Sequence, residues 1–349
     1  MPREILVDGV TINDDSDCYV IAEIGHNHQG SLEQCKQMFQ AAKECGASAV
    51  KLQKRNNREL YTKEMYDSPY DNRNSYGKTY GEHREAVEFE REEYGELLKY
   101  AGEIGITIFS TAFDVPSADF LAKLDMPAYK VASGDLTNIP LIKYIAQIGK
   151  PMFMSTGGGT MADVERAYAA ASAINPNVCV MQCTSGYPAE FSELNLRVIE
   201  TYRAAFPDCV IGLSSHDNGI AMALVGYVLG ARVVEKHFTL NRAAKGTDNA
   251  FSLEPPGLKR LVRDLQRGRE AMGDGEKFCY PSEEQPLRKM GKKLVATRDL
   301  PVGTVLAAED VAIRSPNDGL PPYELDNVLG KKTSRAIVAD ENIVFEALS

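Results

Sequence analysis

The sequence predicts a (β/α)8 (TIM) barrel followed by a small β-rich C-terminal module. Three observations carry this: eight short apolar, β-branched runs, helical periodicity between them, and a change of pattern near residue 273. The runs cover 19–25, 49–53, 107–113, 129–133, 151–156, 178–184, 211–216 and 233–239. Their near-continuous hydrophobicity suits parallel strands buried on both faces. Between them, segments such as 31–45, 91–104, 161–174 and 194–206 repeat apolar residues at helical spacing. So many strand–helix units fit a closed barrel better than an open doubly wound sheet, and no Gly-x-Gly-x-x-Gly follows the first strand.

The connection from 54 to 89 is long for a barrel loop and rich in Tyr, Asn and charge, which predicts a lid or binding loop. After a helix over 256–272, the stretch 273–293 is polar and turn-rich and reads as a linker, leaving domains at 1–272 and 294–349. The second has short strands and no long helix, and its size is near the lower limit for independent stability.

Composition bounds the function. The chain has 349 residues, 44% hydrophobic and 25% charged, with a formal net charge of −10. That balance argues against a nucleic-acid or anionic membrane partner, which would favour clustered Lys and Arg. It leaves room for an anionic small molecule held by a few buried cations. Seven scattered cysteines without a Cys-x-x-Cys pair read as reduced thiols, and neither a leader-like apolar segment nor a membrane-length apolar run occurs, so a cytoplasmic location is expected.

Barrel chemistry is placed at the carboxyl ends of strands. There the sequence sets Glu23, Lys51 and Gln53, Ser110 and Thr111, Lys130 and Ser133, Ser155 and Thr156, Gln182 and Thr184, Ser214 and His216, Glu235 and His237. Solvation alone explains any one of these. Lys51 in VKLQK and Lys130 in AYKVAS are harder to explain so, because Lys is rarely buried in a strand without a partner or an anionic ligand. His216 and His237 close the last two strands, neighbours in a barrel, and can form a metal pair; the alternative is two hydrogen-bonded core histidines. His26 and His28, in IGHNHQG, either add a ligand or shape the loop. The run Ser155-Thr156-Gly157-Gly158-Gly159 either turns backbone N–H groups toward an anion at the next helix or is a plain tight turn.

With these residues assembled, the chain resembles the sialic acid synthase family, the N-acetylneuraminate and N-acylneuraminate-9-phosphate synthases, over nearly its whole length. The motifs are AEIGHNHQG at 22–30, VKLQ at 50–53, STAF at 110–113, YKVASGD at 129–135, MSTG at 154–157, QCTSGYP at 182–188, IGLSSH at 211–216 and EKHFTL at 235–240. The resemblance implies a C–C bond-forming transferase that joins phosphoenolpyruvate to N-acetylmannosamine or its 6-phosphate, giving N-acetylneuraminate or its 9-phosphate and phosphate. The stretch 75–89 looks most like the animal-type branch, whose members use the 6-phosphate. A divalent metal, Mn2+ or Mg2+, is implied at His216 and His237. Phosphoenolpyruvate contacts are implied at Lys51, Lys130, Ser133, Ser155, Ser185 and Ser214, and amino-sugar contacts at Glu23, Gln53, Asn74, Asp135, Tyr187 and Asp248. Glu23 is the expected carboxylate acid or base beside the two histidines. The tail resembles an antifreeze-like (SAF) module, which in the family crosses a domain-swapped homodimer and supplies an arginine to the N-acyl group; Arg314 is the candidate.

Some positions depart from the family. Arg314 is followed by Ser315 and Pro316 where Arg-Pro-Gly is common, Ser185 stands for Asn, Asp135 for Glu and Asn249 for His. Competing readings are a related synthase for legionaminic, pseudaminic or deaminated sialic acid, a metal-dependent aldolase using pyruvate, and a non-catalytic carbohydrate- or ice-binding protein.

Overall fold

A computed structural model describes residues 3–349. The chain divides into two compact units with the boundary after Gly273. In the first, a two-stranded hairpin, β1 (Glu4–Val7) and β2 (Val10–Asn13), precedes eight parallel strands: β3 (Tyr19–Gly25), β4 (Ala49–Lys54), β5 (Thr107–Ala112), β6 (Tyr129–Val131), β7 (Met152–Ser155), β8 (Val178–Cys183), β9 (Val210–Ser215) and β10 (Val233–His237). They close into a barrel in chain order, with β10 pairing back onto β3. The expected strands are all present.

Strand alternation sorts the side chains into two layers. Outward residues such as Val20, Ala22, Val50, Leu52, Ile211 and Leu213 pack with Met38, Phe39, Leu97, Ile142 and Leu261 of the surrounding helices. Inward residues start apolar and end polar. Ile21 precedes Glu23 by two positions, Ala49 precedes Lys51, Phe109 precedes Thr111, Ala128 precedes Lys130, Phe153 precedes Ser155 and Val233 precedes Glu235. The apolar members form one cluster with Ile5, Val7 and Ile12 of the hairpin, and the Phe109 and Phe153 rings stack with centroids 5.2 Å apart. On β9 the inward position is Gly212, where a Cβ would come within 3.0 Å of Met181 Cγ and of the Val233 carbonyl oxygen. The barrel interior is thus a filled core that carries a polar rim.

Sequence reasoning missed the hairpin. Its turn is Asp8-Gly9, with φ of 49° and 80°, the double positive φ of a type I′ turn. Asp14, just beyond, pairs with Arg3, Arg203 and Arg232 and ties the hairpin to the barrel. The long connection after β4 is partly helical, with short helices at Asn57–Leu60, Lys63–Asp67 and Tyr80–Glu85.

In the second unit, β11 (Lys293–Ala296) pairs antiparallel with β12 (Val311–Arg314). Its small core holds Leu294, Leu300, Leu306, Val328, Ile337 and Ile343. The segment expected as a linker contains a short helix, Glu284–Met290. Among the described residues no helix is long and apolar enough to cross a membrane.

Candidate active site

The carboxyl ends of the barrel strands line a cavity of about 600 Å3, within the range of small-molecule sites. At its centre stand four buried charged side chains, Glu23, Lys51, Lys130 and Glu235. Lys51 Nζ lies 2.7 Å from Glu23 Oε2 and 3.7 Å from Glu235 Oε1, and it donates to Thr111 Oγ1 at 2.8 Å. Lys130 Nζ donates to both Glu235 oxygens at 3.0 and 3.1 Å, and Ser214 Oγ donates to Glu235 Oε1 at 3.1 Å. Register explains why they meet: Glu23 sits opposite Lys51 on one side and His237 on the other, while Glu235 faces Ser214.

The two carboxyl groups differ electrostatically. Burial raises the pKa of Glu23; Lys51 draws it back and Glu235 pushes it up again, and the net shift is upward. Burial also opposes charge on Glu235, yet Lys130 and Lys51 outweigh it and hold that pKa at about 2. One carboxylate therefore stays anionic as a counter-ion to the lysines, while the other is biased toward carrying a proton.

His216 and His237 face each other with ring centroids 5.3 Å apart. The Nδ1 of His216 is 2.9 Å from the Thr184 carbonyl oxygen, which can only accept, so Nδ1 holds the hydrogen and Nε2 keeps its lone pair when the ring is neutral. Burial lowers the pKa of His237 to about 3, so its ring is neutral, and its Nδ1 is buried without a hydrogen-bond partner. The nearest carboxylate oxygen paired with it, Asp248 Oδ2, is 3.8 Å away. For His216, burial works against the charged form but Cys183 and the Thr184 carbonyl outweigh it, so its pKa moves up. Among the described residues no three His, Cys, Asp or Glu side chains converge into a closed metal site.

Serines from several loops complete the wall. Gly157 N–H donates to Ser133 Oγ at 3.0 Å, and a Cβ on Gly157 would collide with Ser133 Oγ and Ser185 Oγ. The glycine run therefore acts as a tight turn that packs serines together. Gly159 N–H donates to Thr156 O at 3.2 Å, and the helix Met161–Ser172 opens on a capping box between Thr160 and Asp163, so these donors are already satisfied within the chain. Ser155 Oγ is buried and has no partner, which suits a hydroxyl awaiting a ligand.

His26 and His28 shape the first loop. The His28 ring stacks on Phe89 at 4.1 Å between centroids, and its Nδ1 accepts from Gly30 N–H at 3.1 Å. Burial lowers its pKa to about 3. Below pH ~6.5 the unfolded chain takes up a proton at this residue that the native chain refuses until about pH 3, so stability falls as pH drops through that window. The slope is about 1.4 kcal/mol per pH unit from this residue. Thermal or urea unfolding at pH 7 and pH 5 checks it: His28→Gln is expected to flatten the dependence, and an unchanged slope would refute the assignment.

Comparison with known proteins places this geometry. The NeuB family model matches residues 38–277 and the SAF domain model residues 293–349. The chain belongs to the NeuB family. It is 39% identical to the N-acetylneuraminate-9-phosphate synthase of Homo sapiens over 348 residues, 99% of this chain and 97% of that one. It is 33% identical to the N,N'-diacetyllegionaminic acid synthase of Legionella pneumophila over 340 residues, 94% of each. The crystal structure of an N-acetylneuraminic acid synthetase from Leptospira borgpetersenii superposes with a TM-score of 0.70 at 30% identity, covering 82% of this chain and 95% of that one. The protein is thus an enzyme of the NeuB family, a C–C bond-forming transferase of the sialic-acid-synthase-like type.

In this NeuB-family site, Glu23, Lys51, Gln53, Lys130, Ser133, Ser155, Ser185, Tyr187, Ser214, His216, His237 and Asp248 all line the cavity. Two expected residues do not. Asn74 Oδ1 accepts from Gly246 N–H at 3.3 Å, and Asp135 Oδ1 accepts from Asn138 Nδ2 at 3.1 Å. Arg314, expected to serve a partner's site, belongs to the C-terminal unit and pairs with Asp340. Asn249 is fully buried and braces its own loop, accepting from Thr239 Oγ1 at 2.6 Å. Sequence reasoning placed Glu235 and Thr111 at strand ends without a role and did not single out Cys183, Arg55 or Arg84; all five also line the cavity. For Glu235 a signal existed, since it lies two positions before His237 on one strand and so on the same face.

Proposed function

We propose that this NeuB-family enzyme condenses phosphoenolpyruvate with an N-acylated mannosamine, free or 6-phosphorylated, to give a sialic acid or its 9-phosphate and inorganic phosphate. The observation that carries the reading is the buried quartet of Glu23, Lys51, Lys130 and Glu235 beneath a pair of facing histidines. Two lysines, each held by a carboxylate in a desolvated site, offer fixed positive charge to the carboxylate and phosphate of phosphoenolpyruvate. Hydroxyls of Ser133, Ser155 and Ser185 are free to donate to the phosphate oxygens, while Ser214 donates to Glu235 and holds that carboxylate in place. The enol carbon bonds to the sugar's aldehyde carbon, water adds at the neighbouring carbon, and phosphate leaves from that carbon. Glu23, biased toward protonation, is placed to carry the proton exchanged with the sugar oxygen or the incoming water.

The histidine pair fits Mn2+ or Mg2+ as an open site, with one lone pair kept on His216 and an unpaired nitrogen on buried His237, and binding would displace any proton on His216. When bound, the metal supplies Lewis-acid polarisation of the sugar aldehyde. Tyr187, Gln53 and Asp248 would orient the sugar. The reading also carries a homodimer in which Arg314 serves the partner's site, checked by molar mass in solution. The likeness to the Legionella synthase supports a second reading, the same chemistry on a diacetamido sugar.

Phosphate release from phosphoenolpyruvate tests the proposal, run with Mn2+ or Mg2+, with chelator, and with N-acetylmannosamine, its 6-phosphate, a diacetamido sugar or none. Sugar-dependent release that chelator abolishes is expected. Release without any sugar, or none with every sugar, would overturn it.

A further inference from the structure

Lys236 stands where a charge is out of place. It lies on the side of β10 that turns Val234 and Phe238 toward the apolar layer between strands and helices, yet it is buried, and so is Asp217. The two form an ion pair. Lys236 Nζ donates to Asp217 Oδ1 at 2.9 Å and to the Asp217 carbonyl oxygen at 2.6 Å, and Ser215 Oγ donates to the same Oδ1. Among the described residues Lys236 is the one cation paired with this carboxylate, whose Oδ2 is buried without a hydrogen-bond partner. Neither residue lines the cavity.

Stability alone does not account for the pair. Burying two charges costs solvation that their attraction barely returns, and apolar residues of like size would serve as well, as Val234 and Phe238 do in the same layer. Its place in the chain is what distinguishes it. The β9–β10 ladder ends with Ser215 opposite Lys236, so His216 lies one residue beyond the last pairing, while His237 follows Lys236 directly. The main chain around His237 is held on both sides: Leu253 N–H donates to the His237 carbonyl oxygen and Phe238 N–H to Glu23 O, each at 2.7 Å. At His216 the carbonyl oxygen takes one longer bond, 3.3 Å from Ala189 N–H. Lys236 grips both the side chain and the main chain of Asp217, the residue after His216, and so carries the rigidity of β10 to the end of β9.

We propose that Lys236 and Asp217 are positioning residues for the histidine pair: their buried contact extends the β9–β10 connection past its last rung and fixes His216 opposite His237. The consequence for metal binding rests on the reading of those histidines as a metal pair, whereas the contact itself needs no metal. Donor atoms hold a metal well only when set within about 0.5 Å of their working positions, and groups that orient such donors are worth about 10- to 100-fold in metal affinity.

The experiment compares the wild type with Lys236→Met/Asp217→Asn, which removes both charges at nearly constant volume, and with Asp217→Asn, which keeps the lysine's contact to the main chain. Circular dichroism and a melting curve verify the fold of each. Mn2+ affinity is measured by titration calorimetry, and the histidine rings are followed by NMR of the metal-free protein labelled with 15N-histidine. The double variant is expected to bind Mn2+ about tenfold or more weakly, and Asp217→Asn to lose less. The His216 signals are expected to broaden or double in the double variant, while those of His28, in the first loop, stay as they were. A folded double variant that binds Mn2+ as the wild type does, or whose His216 signals remain single and sharp, overturns the inference. Should the wild type bind no Mn2+, the metal of the proposed function has failed on its own, and the metal-free ring signals decide: broadened or doubled signals sustain the positioning role, and sharp ones remove it. Should the double variant not fold, Asp217→Asn is judged by the same two measurements.

Discussion

Lys130→Met is expected to lower kcat/KM by on the order of 10^3 or more, because a fixed charge in a dry site is lost where a phosphate must be held. It should also destabilise the fold. Glu235 now relies on Lys51 at 3.7 Å and a serine hydroxyl at 3.1 Å, and breaking a buried pair from one side costs about 3–5 kcal/mol. The pH response follows. With its folded pKa held at about 2, Glu235 contributes stability above its unfolded pKa near 4.5, and that contribution is lost as pH falls toward 2. In the methionine variant the carboxyl pKa climbs and this contribution shrinks. The double variant Lys130→Met/Glu235→Gln separates the two effects: it should recover most of the stability and none of the activity. Urea unfolding and initial rates measure both, and a single variant within tenfold of wild-type activity would sink the role given to Lys130.

His216→Ala is expected to abolish metal-dependent turnover, again by on the order of 10^3 in rate. Titration calorimetry with Mn2+ should show binding in the wild type and none in the variant. The fold should survive, since the lost contacts are one hydrogen bond to Thr184 O, the contact with the Cys183 thiol, and the ring faces of Tyr187, His237 and Phe251. A variant that binds Mn2+ as the wild type does would move the metal elsewhere. A variant that binds no metal yet turns over normally would remove metal from the reaction.

The barrel was legible because parallel strands buried on both faces leave a signal of continuous apolar residues, and Tyr19–Gly25 is found where that signal lies. So was the polar rim, since barrel chemistry is confined to strand ends and a Lys buried in a strand, as at Lys51 and Lys130, needs a partner or an anionic ligand. Partnerships across the barrel were not legible. Lys130 and Glu235 are 105 positions apart, and nothing local to either says that they meet. Arg55 and Arg84 were hidden for a related reason: each sits among many charges in the connection after β4, and only the fold distinguishes those that line the cavity from those that do not. The glycine run at 157–159 stayed open between a tight turn and an anion cradle because free and satisfied N–H groups look alike in a sequence. Asp8-Gly9 is itself a hairpin-turn signal, flanked by strands only four residues long.

That hairpin has a consequence for the order of events during synthesis. Ile5, Val7 and Ile12 leave the ribosome well before the barrel strands, but the cluster that covers them includes Val233, on the last of those strands. At about 5–20 residues per second, they wait tens of seconds for their final neighbours. Throughout that interval the apolar side chains of the hairpin are tethered to a growing chain without the neighbours that bury them. Codon choice in the stretch before β10, which changes nothing in the finished molecule, can then alter how much of it arrives folded.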